Sequence, residues 1–164
     1  MTTSYDLLLK PGQGNSLSVV GDIFTFKAVG KETNGQYTLV ELRVDPEIGP
    51  PPHIHHREDE AFYIQEGELE FQLGDKTVIA TPGTFLYSPK GHLHTFKNIT
   101  NQRARMLVWY MPAGIEEFFA EVANWYSGSP EDPWSSNSSI CTSTSRLPSR
   151  RRCAEWSTSS KRST

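Results

Sequence analysis

Residues 1–126 contain no cysteine; the two in the chain, Cys141 and Cys153, lie beyond them. A disulfide framework for the folded part is thereby excluded, and a cytoplasmic or equivalent reducing compartment is expected. The chain also lacks any run near the roughly 18 consecutive apolar residues that a spanning helix needs. Between Met1 and Gln13 the one apolar run is Leu7-Leu8-Leu9, with no small-residue cleavage site behind it, so no secretory leader is expected. Basic charge is not in excess: the formal net charge is −3, which removes a general pull toward nucleic acid or an anionic membrane. Apolar residues are scarce as well. At 36% they fall below the ordinary globular share, so part of the 164-residue chain is expected not to pack.

The charge is unevenly divided. Residues 1–126 carry 10 basic and 16 acidic groups, whereas residues 127–164 carry 6 and 3. The second segment also holds thirteen serines and four threonines in 38 residues, the run Arg150-Arg151-Arg152, and no hydrophobic period. Such a composition buries too little apolar area to offset the entropy of ordering. Two regions follow: a folded domain over 1–126 and a disordered Ser/Thr/Arg-rich tail over 127–164. The basic tail reads as solvated, not as a nucleic-acid contact.

Within the folded region, short apolar stretches alternate with turn residues. Strands are expected at Ile23–Phe26, Tyr37–Val44, the histidine-rich segment after Pro50-Pro51-Pro52, Ala61–Gln65 and Leu69–Leu73. Gly74-Asp75 is a hairpin signal leading into Thr77–Ala80, followed by Phe85–Tyr87, His92–Lys97 and Arg105–Met111. Many short strands without helices between them indicate an all-β antiparallel barrel or sandwich. One helix is expected over Gly114–Tyr126, where Ile115, Phe118, Phe119, Val122 and Tyr126 form one stripe and Glu116 and Glu117 occupy the first turn. Its expected role is to cover a barrel mouth or flank.

All five histidines fall between residues 53 and 94. In His53-Ile54-His55, positions i and i+2 of a strand point to one face, so two imidazoles can converge on one ion while Ile54 points away. Glu60 follows the loop Arg57-Glu58-Asp59 and can add a carboxylate oxygen; His94, on a later strand, can close the set. Three imidazoles and a carboxylate suit one divalent transition metal such as iron, manganese, nickel, copper or zinc. His56 has the opposite parity and is expected to face outward. His92 shares the parity of His94 and is expected at the pocket rim or in solvent. Glu58 and Asp59 are expected to be solvated charges. By parity Phe62 and Ile64 share the face of Glu60, and Phe96 that of His94.

A lone His-x-His pair is weak; the surrounding spacing adds weight. Residues 53–67 follow H-x-H-x(4)-E-x(6)-G, ending at Gly67. Residues 83–98 follow G-x(5)-P-x-G-x(2)-H-x(3)-N, from Gly83 through Pro89, Gly91 and His94 to Asn98. These resemble the two cupin motifs, with fifteen residues between Gly67 and Gly83. One departure is Glu47, which stands where a glycine is expected six residues before His53; with Gly49 nearby, the turn is expected to move and leave the ligands untouched. The resemblance implies a single jelly-roll β-barrel with one flanking carboxy-terminal helix. It also implies tight turns at Gly67 and Gly83, and a structural role for Asn98.

The small single-barrel form resembles bacterial quercetin dioxygenase-like cupins. That likeness implies metal ligation by His53, His55, Glu60 and His94, with Glu60 also the catalytic base. It implies a dioxygenase acting on a flavonol-like or other enolisable, apolar or aromatic small molecule, and a homodimer. Two alternatives stay open. One is a metal-dependent isomerase of a sugar or keto acid, which would want a cation in the pocket; Lys90 and Arg105 are the residues to check. The other is a non-catalytic small-ligand-binding cupin. No nucleic-acid or membrane partner is expected.

Overall fold

A computed structural model describes residues 6–19 and 22–128. Ten strands are present among them: β1 (Asn15–Val19), β2 (Asp22–Ala28), β3 (Thr38–Val44), β4 (His53–Ile54), β5 (Asp59–Glu66), β6 (Leu69–Leu73), β7 (Lys76–Ala80), β8 (Phe85–Ser88), β9 (Leu93–Asn98) and β10 (Ala104–Met111). Two helices accompany them, α1 (Gly30–Thr33) and α2 (Ile115–Gly128). A six-stranded sheet runs β1-β2-β3-β10-β5-β8 and a four-stranded sheet runs β4-β9-β6-β7. All pairings are antiparallel. This is the expected all-β jelly-roll with one carboxy-terminal helix.

Strand alternation explains the core. Along β10, Ala104, Met106, Val108 and Tyr110 are buried while the residues between them are partly exposed, as a period of two requires. The same alternation sends Glu60, Phe62 and Ile64 of β5 inward, to meet Leu42 of β3 and Phe71 of β6. Burial of each large apolar side chain contributes about 1.5–3 kcal/mol. At the turn after β5, Gly67 has φ +78° and packs so closely that an added Cβ would lie 2.8 Å from Ala104 Cα. That turn, and the one at Gly83 with φ +90°, match expectation.

The Glu47 departure resolves differently from expectation. Glu47 itself adopts φ +63°, so the turn stays in place and a non-glycine residue takes the left-handed conformation. The segment is stitched to β9: Glu47 N–H donates to the Asn98 carbonyl at 3.0 Å and Asn98 N–H to the Ile48 carbonyl at 2.9 Å. A Cβ on Gly49 would overlap the Phe96 carbonyl. Asn98 is fully buried and its side-chain amide donates to the carbonyls of Val44 (3.1 Å) and Gln102 (2.7 Å), the structural role expected of it.

Two elements were not legible. In β1 only Leu17 and Val19 are apolar, too sparse for a period; pairing to β2 makes the strand. α1 is a single four-residue turn between β2 and β3. The carboxy-terminal helix starts one residue later than expected and continues through Gly128, two residues past the expected boundary. The rest of the expected tail, 129–164, lies outside the described residues.

Candidate metal centre

β4 and β9 pair so that His53 lies opposite His94, and β5 brings Glu60 to the same point from the other sheet. The ligand atoms of His53, His55, Glu60 and His94 all lie within 4.8 Å of one another. Ring centroids are 5.0 Å apart for His53 and His55, 4.4 Å for His53 and His94, and 5.4 Å for His55 and His94. Glu60 Oε2 stands 2.7 Å from His94 Nε2 and 3.2 Å from His55 Nε2. His55, Glu60 and His94 are buried and His53 is partly so.

Backbone carbonyls orient the imidazoles. His53 Nδ1 lies 2.9 Å from the Pro51 carbonyl and His94 Nδ1 3.1 Å from that of His92. A carbonyl accepts only, so each Nδ1 carries the proton; the His53 Nε2 is left as a lone pair, while the His94 Nε2 donates to the Glu60 carboxylate and would release that proton when a metal binds. His94 Nδ1 also lies 3.1 Å from Ser88 Oγ. The Gly91 N–H donates to the His55 carbonyl at 2.8 Å, so the Pro89–Gly91 turn braces the strand that holds His55.

The electrostatics fit a cation. Burial pushes the His53 pKa down to about 4, with His94 adding to the effect, so this imidazole is neutral at physiological pH. Burial works to raise the Glu60 pKa, but the His55 and His94 imidazoles outweigh it and hold the carboxyl well below its ordinary range. Burial works to lower the His94 pKa, and contact with Glu60 reverses this into a net rise. Donor atoms sharing one metal at about 2.1 Å stand roughly 3–4.2 Å apart, so sub-ångström adjustments bring this set onto an ion. With the His94 proton displaced by the ion, imidazole Nε2 atoms and an ionised carboxylate are the donor chemistry a borderline divalent metal takes.

Two side chains beside the cluster escaped the sequence reading. Glu58, expected in solvent, is fully buried, with Oε2 3.9 Å from His55 Nδ1 and Oε1 4.0 Å from the Arg57 guanidinium. The chain turns inward at Glu58, and a loop carries no parity from which to foresee that. Tyr110 is buried with its ring centroid 5.7 Å from that of His55. Its hydroxyl hydrogen-bonds Glu60, and burial together with that carboxylate pushes the phenol pKa well up. The alternation of β10 was the available signal for Tyr110. His56 and His92 are exposed, in keeping with expectation.

A cavity of about 150 Å³ opens from His53, His55 and Glu60. Phe96 lines it, but Phe62 and Ile64 belong to the packed core and do not reach it. The other walls come from β2, β3, residues 48–51 and α2, which contributes Phe118, Phe119 and Val122. The helix therefore covers the barrel mouth, the role expected of it. Neither Lys90 nor Arg105 is on the lining: Lys90 is exposed, and Arg105 pairs with Glu66 and Glu41.

Residues 40–110 match the family model described as the cupin domain. The chain is 25% identical over 121 residues to quercetin 2,3-dioxygenase of Bacillus subtilis (strain 168), covering 74% of this chain and 36% of that protein. The match thus spans about a third of that relative's length. Among solved structures, an RmlC-like cupin from Shewanella frigidimarina superposes with a TM-score of 0.60 at 18% identity, covering 70% of this chain and 96% of that one. KdgF from Halomonas sp. gives a TM-score of 0.57 at 18% identity, covering 63% and 90%. At such identities the structural likeness speaks for the fold.

Proposed function

This chain is a small cupin, and from that premise we propose that it is a divalent-metal-dependent dioxygenase acting on a flavonol-like or other enolisable small molecule. In this reading His53, His55, Glu60 and His94 hold one transition-metal ion. The observation that carries the reading is the buried three-imidazole, one-carboxylate cluster opening directly onto an apolar cavity. The likeness to quercetin 2,3-dioxygenase supports the reaction class. A metal in the cluster would supply Lewis acidity and redox chemistry with dioxygen.

The chain's own residues do the rest. Glu60, held ionised, is placed to take the hydroxyl proton of an enolisable substrate as general base. The Tyr110 hydroxyl, donating to Glu60, fixes that carboxylate and leaves an oxygen for the proton. Phe24, Phe96 and Phe119 exclude water and give an aromatic substrate apolar contact. With no lysine or arginine on the lining among the described residues, an isomerase that grips a phosphate or carboxylate is the poorer fit. The cysteine-free domain suits the cytoplasm. A homodimer would bury the exposed Phe85 and Tyr87 of edge strand β8 and the neighbouring Tyr63 of β5.

Elemental analysis of the purified protein, followed by aerobic and anaerobic turnover of a flavonol and diketone panel, tests the proposal. Glu60→Gln keeps an oxygen donor but loses the basicity, so its rate should fall about 10²–10⁴-fold even at saturating metal. Product formed without oxygen would point to an isomerase. Tight binding without turnover would leave a ligand-binding cupin.

A further inference from the structure

We propose that Asp22 recognises the cavity's ligand, its Oδ1 accepting a hydrogen bond from a hydroxyl group on the molecule bound there. This rests on the reading of the cavity as the substrate site. Asp22 opens β2 and, by strand parity, shares the inward face of Phe24; both line the cavity. The residue is 6% exposed, yet Oδ1 has no hydrogen-bond partner among the described residues. The carboxylate does accept from the Asp45 backbone N–H, which fixes the side chain without satisfying that oxygen. A buried acceptor left unpaired is costly, and the free space beside this one is the cavity.

The rest of the lining narrows the ligand. Apart from the metal-site residues and Tyr110, Asp22 is the sole polar side chain on the cavity wall among the described residues. A volume of about 150 Å³ takes roughly one aromatic ring. A ring that presents one edge to the cluster turns its remaining edge to a wall where Asp22 alone can answer a donor. An ammonium would be desolvated among Phe24, Phe118 and Phe119, whereas a hydroxyl crosses into that setting at far smaller cost. Burial, the largest cause, pushes the Asp22 pKa up to about 7; the Asp45 backbone N–H works against this and the Asp45 carboxylate adds to it. The ligand class is therefore a compact, one-ring enolisable molecule bearing a second hydroxyl away from its chelating edge. A three-ring flavonol would have to displace α2 or leave rings outside.

Zinc-loaded full-length protein, which binds without redox turnover, is titrated calorimetrically with three pyranones. Kojic acid carries a chelating hydroxyketone and a distal hydroxymethyl group; allomaltol replaces the latter with methyl; the methyl ether of the hydroxymethyl group keeps its oxygen but cannot donate. At a pH well above 7, where Asp22 is ionised and only accepts, wild type should bind kojic acid about tenfold or more tightly than either analogue, the value of a hydrogen bond to a charged acceptor. Asp22→Ala should bind all three within about twofold while retaining zinc and the wild-type affinity for allomaltol. A residue that merely anchors the Asp45 segment would leave the preference intact. Equal binding of the three by wild type, or an unchanged preference in Asp22→Ala, overturns the proposal. If Asp22→Ala does not fold, the alcohol-to-ether comparison in wild type still decides it. Zinc uptake with no binding of any pyranone would instead sink the enolate reading, and this inference with it.

Discussion

At the scale of single residues, the two histidines next to each other in sequence, His55 and His56, provide the sharpest contrast. One is buried in the cluster and the other is exposed. Losing a hydrogen-bond partner of a ligating histidine commonly weakens metal binding about 10–100-fold, so losing a ligand should cost at least as much. His94→Ala should therefore weaken metal binding about tenfold or more, while His56→Ala leaves metal content at the wild-type level; elemental analysis after dialysis reads both. The reverse pattern would mean a different ligand set. Glu47 yields a prediction of the opposite sign. Its left-handed backbone costs an L-residue roughly 1–2 kcal/mol, part of which glycine returns through a more flexible unfolded chain. Its ion pair with Lys97 is well exposed and contributes little. Glu47→Gly should thus stabilise the domain by about 0.5–1 kcal/mol, seen as a higher midpoint in denaturant at unchanged slope. The four clustered side chains were legible because strand parity and motif spacing both bear on them. Glu58, Asp22 and the strain at Glu47 were not, since each depends on where a loop or strand end packs.

Elements join through a few side chains that bridge distant segments, and Glu116 is the clearest. Placed in the first turn of α2, it accepts from the Gly30 N–H at the start of α1 and the Gly114 N–H, both at 2.8 Å, and from the Thr38 hydroxyl at the start of β3. Burial works to raise its pKa, and these bonds, led by Thr38, outweigh that and lower it from the ordinary 4.5. In Glu116→Gln, an NH₂ must face a donor in either amide orientation. The cost should be about 1–3 kcal/mol, or a melting temperature lower by roughly 5 °C or more. Because the folded pKa is depressed, the stability that ionised Glu116 contributes is complete above pH 4.5 and is lost as pH falls through the folded value. Wild type and Glu116→Gln should therefore converge in stability on acidification; a gap that widens would contradict the assignment. The sequence identified α2 and placed Glu116 at its acidic end, because a 3.6-residue stripe is a local signal. It could not name Gly30 and Thr38 as partners, which lie 86 and 78 residues away. Nor could the sparse pattern of β1 announce a strand that depends on pairing with β2.

For the whole molecule, the composition of residues 129–164 predicts that they can be removed. Truncation after Gly128 should leave metal content and melting temperature at wild-type values; a drop of roughly 5 °C or more, about 1 kcal/mol, would mean that the segment packs on the barrel. The chain order of the ligands has another effect at this scale. His53 and His94 sit on β4 and β9 of the four-stranded sheet, whereas Glu60 sits on β5 of the six-stranded one. An ion held by all of them would pin the two sheets together at one point, like a rivet through two plates. At a free metal concentration 100 times its dissociation constant, such a pin adds about 2.7 kcal/mol. If the sheets part before the unfolding transition state, nearly all of that appears in the unfolding rate, about a hundredfold, and little in the refolding rate. Stopped-flow unfolding with and without chelator would reveal the asymmetry. The barrel's lifetime against proteolysis would then follow the metal supply around it, so that metal starvation would shorten the protein's half-life as well as idle its centre.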